Sequence, residues 1–198
     1  MVADCGTKRA MHRRGNRRAV RPLDQAKLDE LALRYVGRYA TTRSKLVSYL
    51  KRKLVERGWE GQADAQPAAI AERLAGLGYV DDRAFALAKA SAHSARGLGQ
   101  RRLAGALRSA GVADDDGAEA FRLAEDEAVE SALRYARRRR LGPFAAAPIT
   151  DRKEREKAIA AMARAGHRFD VAAAIVDLAP DDSEALVELR ERFAGPAN

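Results

Sequence analysis

Leu50-Lys51-Arg52-Lys53-Leu54-Val55-Glu56-Arg57-Gly58 is a helix end that this chain uses three times. Leu50 and Leu54 share one helix face, and the glycine four positions on supplies a left-handed stop. The same apolar-x3-apolar-x3-Gly spacing returns at Leu103, Leu107 and Gly111, and again at Ala158, Met162 and Gly166, displaced by 53 and 55 residues. A period of that size marks a repeated supersecondary unit. Around each signature the pattern predicts three helices: A before it, B containing it and C after it.

In the first unit, helix A is expected from about Asp24 to Tyr39, with Leu28, Leu31, Ala32, Tyr35 and Tyr39 as its apolar stripe. Asp24 is the expected N-cap, with Leu23 and Leu28 placed as a hydrophobic staple. Thr41 and Thr42 open helix B, and Pro67 stands near the start of a helix C that carries Ile70, Leu74 and Leu77. The second unit repeats the device, with Asp81 as cap and Val80 and Phe85 as staple. Gly97 and Gly99 then break helix A as a hinge, helix B runs from Gln100 to Ala110, and Asp114 to Asp116 start helix C. In the third unit helix A spans about Asp126 to Arg140, a loop holds Pro143 and Pro148, Thr150 or Asp151 caps helix B, and Asp170 caps helix C. Strand signals are nearly absent and alanine is abundant. The expectation is an all-α protein of tandem three-helix units in an elongated, curved array. Its divisions are a disordered basic tail over 1–22, units over 23–78, 79–124 and 125–180, and a short helix and tail over 181–198.

The chain has 198 residues and a formal charge of +9. No run approaches the ~20 apolar residues of a membrane span. The first 22 residues carry Lys8, Arg9, Arg13, Arg14, Arg17, Arg18 and Arg21 without the apolar segment of a secretory signal, so a cytoplasmic location is expected. Cys5 is the single cysteine and His12, His93 and His167 are far apart, so neither a disulfide nor a metal site is expected. Gly97-Leu98-Gly99 lacks the pattern of a phosphate-cradling loop. Asp81/Asp82 and Asp114 to Asp116 read as helix-start carboxylates, and His167, beside a glycine stop, reads as an exposed polar residue. No catalytic residue and no cofactor is expected.

The basic segments carry the functional signal. Residues 83–113 hold Arg83, Lys89, Arg96, Arg101, Arg102 and Arg108 with no acid, while 114–130 is strongly acidic. With the apolar face of each helix B as core, the opposite face offers Lys45 and Arg52, then Arg101 and Arg102, then Lys153 and Lys157. Arg108 and the run containing Arg137 and Arg138 add to this set. Phosphate chains complement such cations without being read for sequence. Tyr35, Tyr39, Tyr49, Trp59 and Tyr79 are the aromatic residues available for base stacking, and their places in stripes and beside stops read as core.

Gly78-Tyr79-Val80-Asp81-Asp82-Arg83-Ala84-Phe85-Ala86, followed by Gly99-Gln100-Arg101-Arg102-Leu103 and Leu107, resembles the RecX family of regulatory proteins. Ala32-Leu33-Arg34-Tyr35, Thr42-Arg43-Ser44-Lys45-Leu46 and Leu50 to Gly58 extend the resemblance, which covers about residues 24–180. It implies tandem three-helix repeats in a curved monomer that binds RecA filaments on DNA. It further implies inhibition of the recombinase's ATP hydrolysis, strand exchange and coprotease activity, by blocked filament growth or by disassembly, and hence a role in DNA repair, homologous recombination and the SOS response. Contacts with DNA would be non-specific and within the filament. The competing reading is a tandem helix-turn-helix or Myb-like DNA-binding protein. Its recognition helices would be the C helices, which offer Glu72 and Arg73 in one unit and an acidic run in the next, and these suit base edges poorly.

Overall fold

The computed structural model describes residues 21–193, so the basic tail expected over 1–22 lies outside the described residues except for Arg21 and Pro22. Ten α-helices follow one another among the described residues: α1 Gln25–Val36, α2 Arg43–Arg57, α3 Pro67–Gly76, α4 Asp82–Ala95, α5 Gln100–Ala110, α6 Asp114–Asp126, α7 Ala128–Arg139, α8 Arg152–Arg164, α9 Phe169–Val176 and α10 Ser183–Phe193. A 3-10 turn, Gly142–Phe144, follows α7. No strand occurs among the described residues, and the protein is all-α. One isolated β-bridge ties Leu23 to Trp59. It anchors the chain entering α1 to the exit of α2, with the Leu23 amide donating to the Gly58 carbonyl and the Glu60 amide donating to that of Leu23, both at 2.9 Å.

Side-chain oxygens satisfy free amides at helix starts, Asp182 Oδ1 accepting from the Ala185 amide at the start of α10 among them. Asp24 accepts from the Lys27 amide at 2.8 Å, Thr42 from Lys45 at 3.2 Å, Asp81 from Ala84 at 2.8 Å and Asp151 from Lys153 at 2.5 Å. The three signature glycines all have positive φ: 81° at Gly58, 66° at Gly111 and 100° at Gly166. That backbone is open to glycine and strained for other residues, which is why each signature ends on one.

Three apolar cores form, each mainly from one run of helices. Leu23, Leu28, Leu46, Leu50, Ile70 and Leu74 close α1 to α3. Ala86, Ala90, Leu103, Leu107 and Ala120 close α4 to α6, where small residues let α4 and α6 approach closely. Leu133, Ala136, Ile159, Met162, Val171 and Ile175 close α7 to α9, and α10 adds Leu189. α6 continues through residues 124 and 125, where the sequence divides the second unit from the third, and Glu127 alone separates it from α7.

Backbone contacts stitch the runs together. Thr42 Oγ1 donates to the Ala110 carbonyl at 2.5 Å and the Arg43 amide donates to Asp82 at 2.9 Å, joining α2 to α5 and α4. Further along, the Gly99 amide donates to the Ala165 carbonyl at 2.9 Å and the Arg101 amide to that of Gly166 at 3.2 Å. A Cβ on Gly99 would collide with the Gly166 backbone, so these segments meet main chain to main chain. The glycine pair expected as a hinge is therefore a packed joint, with Gly97 and Gly99 both buried.

Other details differ from the sequence reading. α1 ends at Val36, before the polar and glycine stretch at Gly37, so Tyr39 leaves the stripe and is 51% exposed; Leu77 and Tyr79 are exposed as well. Asp170 lies inside α9, paired with the N-cap residue Arg168. Asp82 does open α4 as a helix-start carboxylate, and beyond that reading it is buried under Arg43. His167 is buried, because the neighbouring run covers it.

A candidate phosphate-binding groove

The last turn of α7 carries Arg137, Arg138 and Arg139, and Arg140 follows in the left-handed conformation that closes the helix. Four cations at a helix C-terminus complement its partial negative charge. Leu141 then turns inward and Gly142, at φ 53°, packs so close to the Ile175 carbonyl that a Cβ has no room. This fixes the direction in which the chain leaves α7.

α8 faces that turn with Glu154, Lys157, Ala158, Ala161 and Arg164, residues that recur every three or four positions on one helix side. Between the two lies a groove of about 460 Å³. Leu141, Ile149, Ala158 and Ala161 form its apolar floor, and Arg138, Arg139, Arg140, Lys157 and Arg164 its rim, against one carboxylate, Glu154. None of these five cations has an ion-pair partner among the described residues, whereas Arg152 and Arg155 elsewhere on α8 are paired with Glu156 and Asp177. A low-dielectric floor under unpaired cations concentrates positive potential, and a polyanion fits that chemistry.

The groove reaches the joint with the preceding helices. Arg102 Nε donates to the Arg164 carbonyl at 3.0 Å, and the Arg101 amide is held on Gly166. The Arg138 guanidinium lies beside Gly97. Beneath it, His167 Nε2 donates to the Gly97 carbonyl at 3.2 Å while its ring meets the edge of Tyr135 at 5.6 Å. Burial holds the imidazole below its usual pKa; the Gly97 hydrogen bond opposes this and the charge of Arg138 adds to it.

Of the basic residues singled out by sequence, Arg138 and Lys157 line this groove and Arg101 and Arg102 adjoin it through Arg164 and Gly166. The others sit elsewhere. Arg137 lies over the Phe144 ring at 4.9 Å, and Lys153 occupies the exposed first turn of α8. Arg108 borders a small cleft with Asp114. Lys45 lies 4.8 Å above the Phe85 ring, and Arg52 belongs to a separate groove on α1 and α2. Arg164 stands two helix turns beyond Lys157 on the same exposed face of α8, so the helical spacing that singled out Lys157 could also have found it.

Comparison with known proteins follows the same lines. No family model matches the chain. It is 37% identical over 161 residues to the regulatory protein RecX of Myxococcus xanthus, strain DK1622, covering 77% of this chain and 86% of that protein. The crystal structure of RecX from Lactobacillus salivarius superposes with a TM-score of 0.55 at 16% identity, over 84% of this chain and 96% of the other. A second RecX crystal structure gives 0.56 at 22% identity, over 76% and 72%. These two likenesses concern the fold.

Proposed function

The chain belongs to the RecX family of regulatory proteins, and from that premise we propose that it regulates the RecA recombinase by lying against the nucleoprotein filament. It acts as a cytoplasmic monomer without catalytic residues and lowers ATP hydrolysis, strand exchange and coprotease activity. The units 23–78, 79–124 and 125–180 serve as successive contact modules along the filament.

The observation that carries the reading is the unpaired cluster of Arg138, Arg139, Arg140, Lys157 and Arg164 over an apolar floor, with Arg101 and Arg102 beside it. Such a surface takes phosphate oxygens of DNA without reading bases. Lys45, Arg52, Arg108, Arg137 and Lys153 supply further contacts spread over the other helices. The helix-turn-helix alternative finds less support, because α6 opens with Asp114, Asp115 and Asp116 and a DNA groove would repel it.

The test is the DNA-dependent ATPase rate of the cognate recombinase, titrated with this protein from far below stoichiometric to equimolar. Inhibition well below equimolar is expected. The double variant Arg138→Glu/Lys157→Glu should weaken filament binding about tenfold or more and flatten its dependence on salt, since each lost phosphate contact releases fewer counterions. No inhibition at equimolar protein would overturn the regulatory reading. Inhibition that persists in the double variant with an unchanged salt slope would overturn the groove.

A further inference from the structure

α1 and α2 carry a second groove, of about 430 Å³, remote in sequence from the first. Three tyrosines form its wall as a row. Tyr35 and Tyr49 stack with ring centroids 4.2 Å apart and 15° between planes, and Tyr39 lies on the other side of the same cluster, 5.3 Å from Tyr35. Cations stand at both ends of the row. Arg38 lies 5.7 Å from the Tyr39 ring, and Arg52 and Lys53 lie 5.7 and 5.9 Å from that of Tyr49.

A tyrosine cluster built for stability buries its rings and hydrogen-bonds its hydroxyls. This one does neither fully. Tyr39 is 51% exposed, and none of the three hydroxyls has a hydrogen-bond partner among the described residues. Arg38 has no ion-pair partner there either, while Arg34, Arg52 and Lys53 are held only by the exposed carboxylates of Glu30 and Glu56. Exposed pairs of that kind exchange partners at little cost. A half-open aromatic ladder flanked by cations combines the two elements that bind single-stranded nucleic acid, ring faces for bases and cations for the backbone.

We propose that Tyr39, backed by Tyr35 and Tyr49 and flanked by Arg38, Arg52 and Lys53, is a stacking site for an unpaired base of single-stranded nucleic acid. A duplex keeps its bases stacked on each other and offers no face to Tyr39. An acidic peptide would satisfy the cations and leave the exposed ring unused, so the ladder favours the nucleic acid.

The test compares binding of a labelled oligothymidylate of about eight nucleotides with that of an abasic oligomer of equal length, by fluorescence anisotropy. Both carry the same phosphates, so the difference cancels whatever the groove between α7 and α8 contributes, and the result is independent of the recombinase reading. The full-length protein should bind the thymidine oligomer about tenfold more tightly. Tyr39→Ala should abolish that preference with circular dichroism and thermal midpoint unchanged, and Tyr39→Phe should keep it. Arg38→Glu, at an exposed position, should weaken both oligomers together. Equal affinity of the wild type for the two oligomers, a preference that survives Tyr39→Ala, or equally tight binding of a polyglutamate peptide would each overturn the site.

Discussion

His167 shows how a single residue reports on a joint between two runs of helices. Its neutral ring donates from Nε2 to the Gly97 carbonyl and sits under the charge of Arg138, with Tyr135 against its edge. In the unfolded chain the imidazole titrates near 6.5; in the fold, burial makes it hold its proton less tightly. Above that unfolded value its contribution to stability is complete. As pH falls through the region below about 6.5, the unfolded state takes up more protons and stability declines. Between about pH 7.5 and pH 5.5 the thermal midpoint of the wild type should therefore fall further than that of His167→Gln, which keeps an N–H donor and does not titrate. Equal falls in the two proteins would contradict this. The sequence placed His167 beside a left-handed glycine and read it as exposed, since nothing local reveals that Gly97, from the turn between α4 and α5, covers it. The glycine itself was legible because its conformation is a local demand, and Gly166 at φ 100° meets it.

At the scale of elements, helix starts and stops were read closely and partnerships between helices were not. Asp24, Asp81 and Asp151 cap the helices expected of them, a property of a few consecutive residues. Arg43, the first residue of α2, gave no such signal. It reaches Asp82 of α4, Asp116 of α6 at 2.6 Å and Glu72 of α3 at 3.5 Å. Burial alone would depress the guanidinium, but the carboxylates of Asp82, Asp116 and Glu72 outweigh it and hold its pKa above the ordinary value. Asp82 is the buried member, with 3% side-chain exposure against 35% for Arg43. Removing the arginine leaves that carboxylate with the Arg43 amide as its one remaining hydrogen bond. Arg43→Met should cost about 2 kcal/mol, below the cost of breaking a fully buried pair because the guanidinium is partly hydrated. Asp82→Asn should recover part of that loss when added to Arg43→Met. Chemical denaturation of the two single variants and the double variant measures the coupling, and strictly additive losses would show that the pair does not act as a unit.

Across the whole molecule the three cores are unequal. α1 to α3 bury Leu23, Leu28, Leu46, Leu50, Ile70 and Leu74, whereas α4 to α6 bury two leucines, Leu103 and Leu107, with alanines in between. Each leucine removed from water contributes roughly 1.5–3 kcal/mol, several times an alanine. The middle run therefore depends most on its neighbours, through Arg43 and Thr42 on one side and Gly99, Gly166 and His167 on the other. The repeat that fixes this order was visible in the spacing of Gly58, Gly111 and Gly166. The groove was visible only in part, because Arg138, Arg139 and Arg140 meet Lys157 and Arg164 through the packing of α7 on α8. Nearest-neighbour support of this kind has a measurable signature in native-state hydrogen exchange. Arg43→Met, a substitution in α2, should raise exchange in α4 and α6 by a larger factor than in α8 and α9, where Met162, Val171 and Ile175 form a core of their own. A uniform rise across all ten helices would mean instead that the chain opens as one cooperative body, and the middle run would then owe nothing particular to the helices on either side.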